Sequence, residues 1–413
     1  MIQFDNKNIE LLAPAGDMEK LTFALEYGAD AVYLSGTAFG MRQSASVFTK
    51  PMLENAIALT KKKNAKVYVT VNTLPRENEI AGLPAYFEEL NELEVDALII
   101  ADLGVLALAK KYAPKLDIHI STQGSIVNSA AANAYFDMGA KRVVLARELS
   151  LEEIAGIRAA TNKALELEAF CHGAMCMSYS GRCFISAYMT GRDANRGACA
   201  QPCRWKYHLM EETRPGQYFP VLEEEKGAFI LNAKDLATIE ILPQLLKAGI
   251  TSLKIEGRAK SAYYAAVITN AYKLALASAA GQPDNWTVDE QVLREIYCVS
   301  HRDYYTGFYE SSSASGQHTA DNVYIRNFDI CAVVEDCDAE GNAKLTQRNK
   351  FSEGDRLELL IPGETGKSFT VTVLQAEDGT PLESAPHPMM KLRAKLPGFV
   401  PKYSILRRAA PEK

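Results

Sequence analysis

Four cysteines between residues 176 and 203 are the feature of this sequence with the clearest capacity for chemistry. Six residues separate Cys176 from Cys183, fifteen separate Cys183 from Cys199, and three separate Cys199 from Cys203. Four thiolates brought together suit tetrahedral zinc or a [4Fe-4S] cluster, because both are soft centres that accept sulfur ligands. Structural zinc sites favour CxxC pairs, and this chain has none. The irregular spacing therefore favours the cluster, with zinc or unligated buried cysteines as alternatives.

Basic and aromatic residues are interleaved with these cysteines. The basic residues are Arg182, Arg192, Arg196, Arg204 and Lys206, and the aromatic residues are Tyr179, Phe184, Tyr188, Trp205 and Tyr207. Such a surface can hold an RNA phosphate backbone and stack an unpaired base, which makes the five basic residues candidate RNA contacts. Alternatively, the arginines balance the negative charge of a cluster and the aromatic rings shield it from water. The sequence leaves both interpretations open.

The composition sets limits on the class of protein. The 413 residues are 47% hydrophobic and 23% charged, which is ordinary globular usage. The formal net charge is −6, so any site for a polyanion must be a local patch. The first residues do not resemble a secretory signal and no apolar run is long enough to span a membrane, so a cytoplasmic protein is expected. In a reducing compartment, the clustered cysteines suggest metal or redox chemistry.

Eight short runs with the composition of β-strands alternate with segments of helical period through the first 280 residues. These runs begin at Ile9, Ala29, Ala65, Asp96, Asp117, Lys141, Glu166 and Thr251. Alternating β and α units predict a parallel sheet covered by helices, and the count of eight favours a TIM-like (β/α)8 barrel over an open doubly wound sheet. In such a barrel the carboxyl ends of the strands meet at one mouth, where the active site is built.

The βα alternation breaks after the seventh strand, where an insertion over residues 171–236 carries the cysteines. The predicted organisation is the barrel with its insertion over 1–284, a helical connector and linker over 285–320, and a small all-β domain over 321–413. The last part of this domain is basic, with Lys391, Arg393, Lys395, Lys402, Arg407, Arg408 and Lys413. These residues form either a solvated rim or a surface that contacts RNA.

The residues around the first two cysteines form the series Glu168, Phe170, Gly173, Cys176, Gly181 and Cys183. This series resembles the signature of peptidase family U32, a family of collagenase-like peptidases. The likeness covers nearly the whole chain, including segments that begin at Leu11, Ser121, Leu231, Ile255 and His301. Within the family, the length and the small C-terminal β domain resemble those of members that hydroxylate tRNA.

This resemblance implies a tRNA-modifying hydroxylase that forms 5-hydroxyuridine at the wobble position. It implies an iron–sulfur enzyme that does not need dioxygen, with prephenate as the oxygen-donating co-substrate and an electron donor that the sequence does not specify. The [4Fe-4S] ligands carry over onto Cys176, Cys183, Cys199 and Cys203. A hydroxylase of another RNA, or an RNA-binding module without chemistry, is the alternative within the same likeness.

Two further sets of side chains are candidates for the chemistry. Arg42, Arg147 and Arg258 are candidate clamps for a dicarboxylate such as prephenate, and Glu148, Glu256 and His172 are candidates for proton transfer. The family name also raises a peptidase as an alternative. The sequence has neither an HExxH zinc motif nor a GxSxG nucleophile elbow. A peptidase would therefore use either a cysteine-based mechanism, for which Cys176 and His172 are a conceivable pair, or an unknown one.

Overall fold

Eight parallel strands form a closed barrel in the computed structural model, which describes residues 1–41, 47–176, 183, 185–205, 209–210, 218–219, 234–281, 286–310 and 324–410. After a short strand β1 (Ile2–Phe4), the barrel strands are β2 (Lys7–Pro14), β3 (Ala31–Leu34), β4 (Lys66–Val71), β5 (Ala97–Ile100), β6 (Asp117–Ile120), β7 (Arg142–Val144), β8 (Glu166–Ala174) and β12 (Ser252–Ile255). Strand β12 pairs in parallel with both β2 and β8 and closes the ring. The predicted TIM-like barrel is confirmed.

Helices pack around the barrel and extend beyond it. They are α1 (Met18–Glu26), α2 (Lys50–Lys62), α3 (Glu77–Ile80), α4 (Leu83–Leu93), α5 (Leu103–Tyr112), α6 (Ser129–Asp137), α7 (Leu151–Ala160), α8 (Ile185–Thr190), α9 (Leu242–Lys247), α10 (Ala262–Gly281) and α11 (Glu290–Ile296). Local sequence sets where they begin: the Asp17 carboxylate accepts a hydrogen bond from the Lys20 amide at the start of α1. None of the helices in the described ranges is long and apolar enough to cross a membrane.

The interior of the barrel holds a buried network of ion pairs. The Arg142 guanidinium pairs with Glu10 and with Glu168, whose Oε2 lies 3.0 Å from Arg142 Nη1. Lys254 Nζ lies 2.9 Å from the other oxygen of Glu168. Each of these buried charges has an opposite partner, which offsets the cost of removing it from water. The network ties β2, β7, β8 and β12 together across the barrel.

The cysteine-bearing insertion follows β8 and contains little regular structure within the described residues. It includes α8, short 3-10 helices at Ala194–Arg196 and Pro202–Arg204, and the antiparallel pair β9 (Leu209–Met210) and β10 (Tyr218–Phe219). The chain then returns in β11 (Asp235–Ala237), which pairs antiparallel with the end of β8 and parallel with β13 (Tyr304–Tyr305). These two strands extend the barrel sheet at its rim.

A small antiparallel β domain with its own hydrophobic core follows the connector, as predicted. Its strands are β14 (Phe328–Cys337), β15 (Asn342–Gln347), β16 (Phe351–Ser352), β17 (Arg356–Leu360), β18 (Lys367–Thr370), β19 (Leu374–Ala376), β20 (Ser384–Ala385), β21 (Lys391–Lys395) and β22 (Ile405–Ala409). Seven of them form one sheet, and β16 pairs with β20. The expected boundaries near residues 284 and 320 lie outside the described residues and stay predictions.

Candidate active site

A cavity of about 200 Å³ lies at the carboxyl ends of the barrel strands, where the barrel meets the insertion. The barrel contributes Tyr33, Thr70, Asn72, Ser121, Gln123, Arg147, Phe170, Lys254, Glu256 and Arg258 to its lining, among others. The insertion contributes Cys176, Cys183, Ile185, Asn195, Cys199 and Cys203. The cavity therefore combines polar side chains from strand ends with thiols from the insertion, which is the usual place for the active site of a barrel.

All four cysteines predicted as ligands line this one cavity. Ser186 joins the segment that follows Cys183 to the segment of Cys199, because its hydroxyl donates to the Arg192 carbonyl (2.7 Å) and accepts from the Ala200 amide (2.9 Å). Among the described residues, the insertion brings thiols but no carboxylate or imidazole to the cavity lining, and this donor set fits a soft centre such as iron–sulfur or zinc.

The described residues contain no group of three or more His, Cys, Asp or Glu side chains placed to hold a metal ion.

Arg147 lies between the cysteines and the barrel. Its Nη1 donates to the Ala174 carbonyl oxygen (3.0 Å), and its guanidinium lies 5.0 Å from the Phe170 ring centroid. It also forms a hydrogen bond with the Cys176 side chain. Burial opposes the charge of Arg147, but Cys176 and Glu256 outweigh burial and raise its pKa. The predicted clamp residue therefore stays charged in the cavity, and part of its donor capacity is used by the chain itself.

Glu256 and Arg258 lie two residues apart in the sequence, just after the end of β12. Arg258 Nη1 donates to the Thr70 hydroxyl (3.0 Å), which fixes a buried guanidinium in the lining. Glu256 Oε2 lies 3.2 Å from the Tyr33 hydroxyl, which also contacts the Ile255 carbonyl oxygen at 3.0 Å. This places a carboxylate and a phenol side by side in the cavity, where they can hold or move a proton.

Lys254 is a cavity residue that the sequence prediction missed. Its ammonium pairs with Glu168 and lies 4.5 Å from the Tyr33 ring centroid, in a position that is 5% exposed. Side chains two residues apart on a strand point to the same face, so Lys254 faces the same way as Glu256. The two-residue spacing between Lys254 and Glu256 was therefore the feature of the sequence that could have predicted Lys254 as a cavity residue.

Glu148 and His172 are not in the cavity lining. His172 packs instead against helix α10 and strand β13, where its Nδ1 lies 3.3 Å from the Tyr272 hydroxyl and its Nε2 3.4 Å from the Tyr304 hydroxyl. Burial lowers the pKa of His172 to about 3, so the imidazole is neutral. Because both ring nitrogens face tyrosines, His172 is not placed to activate Cys176, and the arrangement offers no support for a peptidase pair.

The predicted RNA-contacting residues are only partly described. Arg192 is exposed, and Arg196 Nη2 pairs with Glu79 Oε1 at 2.6 Å. Arg182 and Lys206, and the side chain of Arg204, lie outside the described residues. Arg42, the third predicted clamp for a dicarboxylate, also lies outside them.

Three of the seven basic residues of the C-terminal stretch form ion pairs, and Lys413 lies outside the described residues. Lys391 Nζ lies 2.7 Å from Glu335 Oε1, Arg408 contacts Asp355 at 3.5 Å, and Arg407 is fully buried. The two roles predicted for this stretch, a solvated rim and a surface that contacts RNA, both stay predictions.

A TIM-like barrel with a cysteine-lined cavity at its mouth, followed by an antiparallel β domain, defines the class of protein. The chain belongs to peptidase family U32. Residues 16–319 match the model of that family, and residues 326–407 match the model of the peptidase family U32 C-terminal domain. The resemblance inferred from the cysteine signature is confirmed.

Two relatives that span more than nine-tenths of the chain carry the name of a tRNA modification. The chain is 37% identical to tRNA hydroxylation protein P1 of Bacillus subtilis, over 94% of this chain and 92% of that protein. It is 34% identical to tRNA hydroxylation protein P of Escherichia coli, over 91% of each. It is also 40% identical to a 23S rRNA 5-hydroxycytidine synthase of Escherichia coli, over 64% of this chain and 39% of that protein.

Proposed function

We propose that this protein is a tRNA-modifying hydroxylase that forms 5-hydroxyuridine at the wobble position with an iron–sulfur cluster and without dioxygen. The observation that carries the proposal is that four thiols and three buried cations, Arg147, Lys254 and Arg258, line one cavity. The names of two relatives that match nearly the whole chain, and of a third that matches about two thirds of it, support RNA hydroxylation as the reaction. The protein would act in the cytoplasm on tRNA.

The four cysteines of the insertion would hold the [4Fe-4S] cluster. Cys176, Cys183, Cys199 and Cys203 supply the sulfur ligands that such a cluster takes, and zinc is the alternative metal for the same donors. When bound, the cluster would supply electrons or a site for the oxygen donor. The chain's own part is to bring the thiols over the cavity, with Arg147 next to Cys176 as a hydrogen-bond donor.

The cationic side of the cavity would bind the co-substrate. Arg258 and Lys254 are held in place by Thr70 and Glu168, so they can receive carboxylates without first becoming ordered. A dicarboxylate such as prephenate suits this pair of cations. Glu256, in contact with the Tyr33 hydroxyl, would hold or move the proton that the reaction exchanges.

The target base would enter the same cavity from a single-stranded loop. Enzymes that modify a base must take it out of the stack, and a closed pocket excludes water once the base is inside. The cavity of about 200 Å³ opens next to the insertion, so base, co-substrate and thiols can meet there.

Two measurements test the proposed function. Anaerobically purified protein should be brown and contain about four irons per chain, as a cubane cluster requires. Cys176→Ser and Cys183→Ser should lose the colour and most of the iron, whereas Cys337→Ser, in the β domain, should keep both. Nucleoside mass spectrometry of tRNA from a deletion strain should show no 5-hydroxyuridine until the wild-type gene is restored.

Other outcomes would replace the proposal by a different function. A colourless protein that carries zinc, with tRNA nucleosides unchanged by the deletion, would overturn the hydroxylase. Cleavage of casein or gelatin that Cys176→Ser abolishes, and that continues with iron chelated, would indicate a peptidase. Salt-dependent tRNA binding without any change in nucleosides would indicate a binding module.

A further inference from the structure

Two aromatic side chains of the insertion face solvent beside the cavity. Tyr188 is 79% exposed and Trp205 is 41% exposed. Met189 and Leu74 are also exposed, and the Leu74 amide donates to the Asn195 carbonyl oxygen, which places Leu74 against the insertion. Single exposed apolar residues are common, but a group of them on adjacent segments marks a surface that binds something.

Both aromatic residues follow a residue that lines the cavity. Ile185 lines the cavity and Tyr188 lies three residues later in α8, so the two share a side of the helix. Cys203 lines the cavity and Trp205 is two residues beyond it. Helix α8 lies next to the 3-10 helix that contains Cys203, so the segments that carry the two rings are neighbours at the mouth.

Exposure decides between the two roles that the sequence left open for these rings. An aromatic side chain that shields a cluster from water is itself buried against it. Tyr188 and Trp205 instead present much of their surface to solvent. They are therefore available to a partner that offers flat faces.

We propose that Tyr188 and Trp205 form a stacking platform for the unpaired nucleotides that flank the target base in an RNA loop. The proposal rests on the proposed function, since a base that enters the cavity must leave its neighbours unstacked. Stacking on an aromatic side chain returns about 1–3 kcal/mol per base. Exposed Arg192, two residues after the end of α8 in the chain, would supply a phosphate contact.

Binding of an anticodon stem-loop with uridine at the wobble position tests the platform. Tyr188→Ala and Trp205→Ala should each weaken binding about 5- to 100-fold, which corresponds to the loss of one stacked base. Tyr188→Phe keeps the ring and should bind like the wild type. Phe399→Ala removes a ring that is 64% exposed in the β domain and should also bind like the wild type.

Two comparisons separate stacking from a general loss of RNA binding. Tyr188→Ala should keep the wild-type dependence of affinity on salt, whereas Arg192→Ala should lower its slope, because only the arginine releases counterions. A fully paired RNA duplex should bind equally to the wild type and to Tyr188→Ala. Unchanged stem-loop affinity in the Tyr188→Ala, Trp205→Ala double variant would overturn the platform while leaving the hydroxylase standing. A wild-type protein that binds no stem-loop would overturn both.

Discussion

Arg407 and Glu295 form a buried, bidentate ion pair between the β domain and the connector that follows the barrel. Arg407 Nη1 lies 2.6 Å from Glu295 Oε2, and Nη2 lies 2.7 Å from Oε1. Arg407 Nη2 also contacts Glu358 Oε2 on the neighbouring strand β17, at 3.0 Å. One guanidinium on β22 therefore holds carboxylates from both sides of the junction in a fixed geometry.

Replacing Arg407 by methionine should strongly destabilise the protein. The substitution leaves the Glu295 carboxylate buried without its cation, which costs about 3–5 kcal/mol. Urea unfolding followed by circular dichroism measures the loss. Lys344→Ala is the matched control, because Lys344 and Asp336 form an exposed pair worth less than about 1 kcal/mol. Equal losses in the two variants would show that the buried pair does not stabilise the junction.

The burial of Arg407 shows one limit of prediction from the sequence. Arg407 and Arg408 are adjacent basic residues near the C-terminus, and composition alone groups them with the exposed lysines. On a strand, adjacent side chains point to opposite faces, and here Arg407 is fully buried whereas the Arg408 side chain is 33% exposed. The face of β22 that carries Arg407 is covered by Glu295, which is more than a hundred residues away in the sequence. No local sequence pattern can therefore predict the burial of Arg407.

The barrel itself could be predicted because its pattern is local. Runs of strand residues and helical periods repeat within short windows, and the eight predicted strands are the eight in the closed ring. The convergence of strand ends then placed Arg147, Glu256 and Arg258 in one cavity. To predict these residues, it was enough to know the fold and their position at the end of a strand.

His172 could not be placed by the same rule. Phe170 lines the cavity, and in a regular strand a residue two positions later faces the same way. The pairing of β8 with β12 shifts at this point: Lys254 pairs with Phe170 and Ile255 with His172, which leaves Cys171 as an extra residue. A bulge of this kind re-aims the side chains that follow it. His172 consequently packs against Tyr272 and Tyr304, outside the cavity.

The buried imidazole of His172 should make stability depend on pH. Burial lowers its pKa to about 3 in the fold, against an ordinary value of 6.5. The contribution of His172 to the free energy of unfolding is fully present above pH 6.5. It is lost as the pH falls toward 3, because the unfolded chain takes up the proton at a higher pH than the folded chain does. Between pH 7 and pH 5 this loss is about 2 kcal/mol.

Urea unfolding of His172→Gln at the two pH values checks this effect. The variant has no imidazole to protonate at this site, so it should lose about 2 kcal/mol less than the wild type over that interval. His387→Gln, at an exposed position of the β domain, should lose as much as the wild type. A pH dependence shared by all three proteins would contradict the buried, neutral state of His172.

Lys254 should contribute to co-substrate binding, if the cationic side of the cavity takes a dicarboxylate. Lys254→Met keeps the length of the side chain but removes the charge, and the loss of one charge-assisted hydrogen bond corresponds to about tenfold weaker binding. Isothermal calorimetry with prephenate measures the affinity. Lys254→Arg should retain most of it, and thermal unfolding of both variants controls for the lost contact with Glu168. Prephenate affinity that is unchanged in a folded Lys254→Met protein would remove Lys254 from the binding site.

Gly173 should tolerate no side chain, because it lies where the bulged strand passes the cavity. Its φ of +110° is a conformation that other residues rarely adopt, and a Cβ there would lie 2.4 Å from the Glu256 carbonyl oxygen. The strain alone costs about 1–3 kcal/mol, and relief of the clash would push Glu256 away from Tyr33. Gly173→Ala should therefore lower both stability and hydroxylation.

Gly156→Ala is the control. Gly156 lies in α7 with nothing within 4 Å of an added Cβ, so this substitution should instead stabilise the protein by about 0.5–1 kcal/mol. Urea unfolding and tRNA nucleoside analysis of the two variants distinguish them, and a Gly173→Ala protein as stable and active as the wild type would contradict the tight approach of β8 to Glu256.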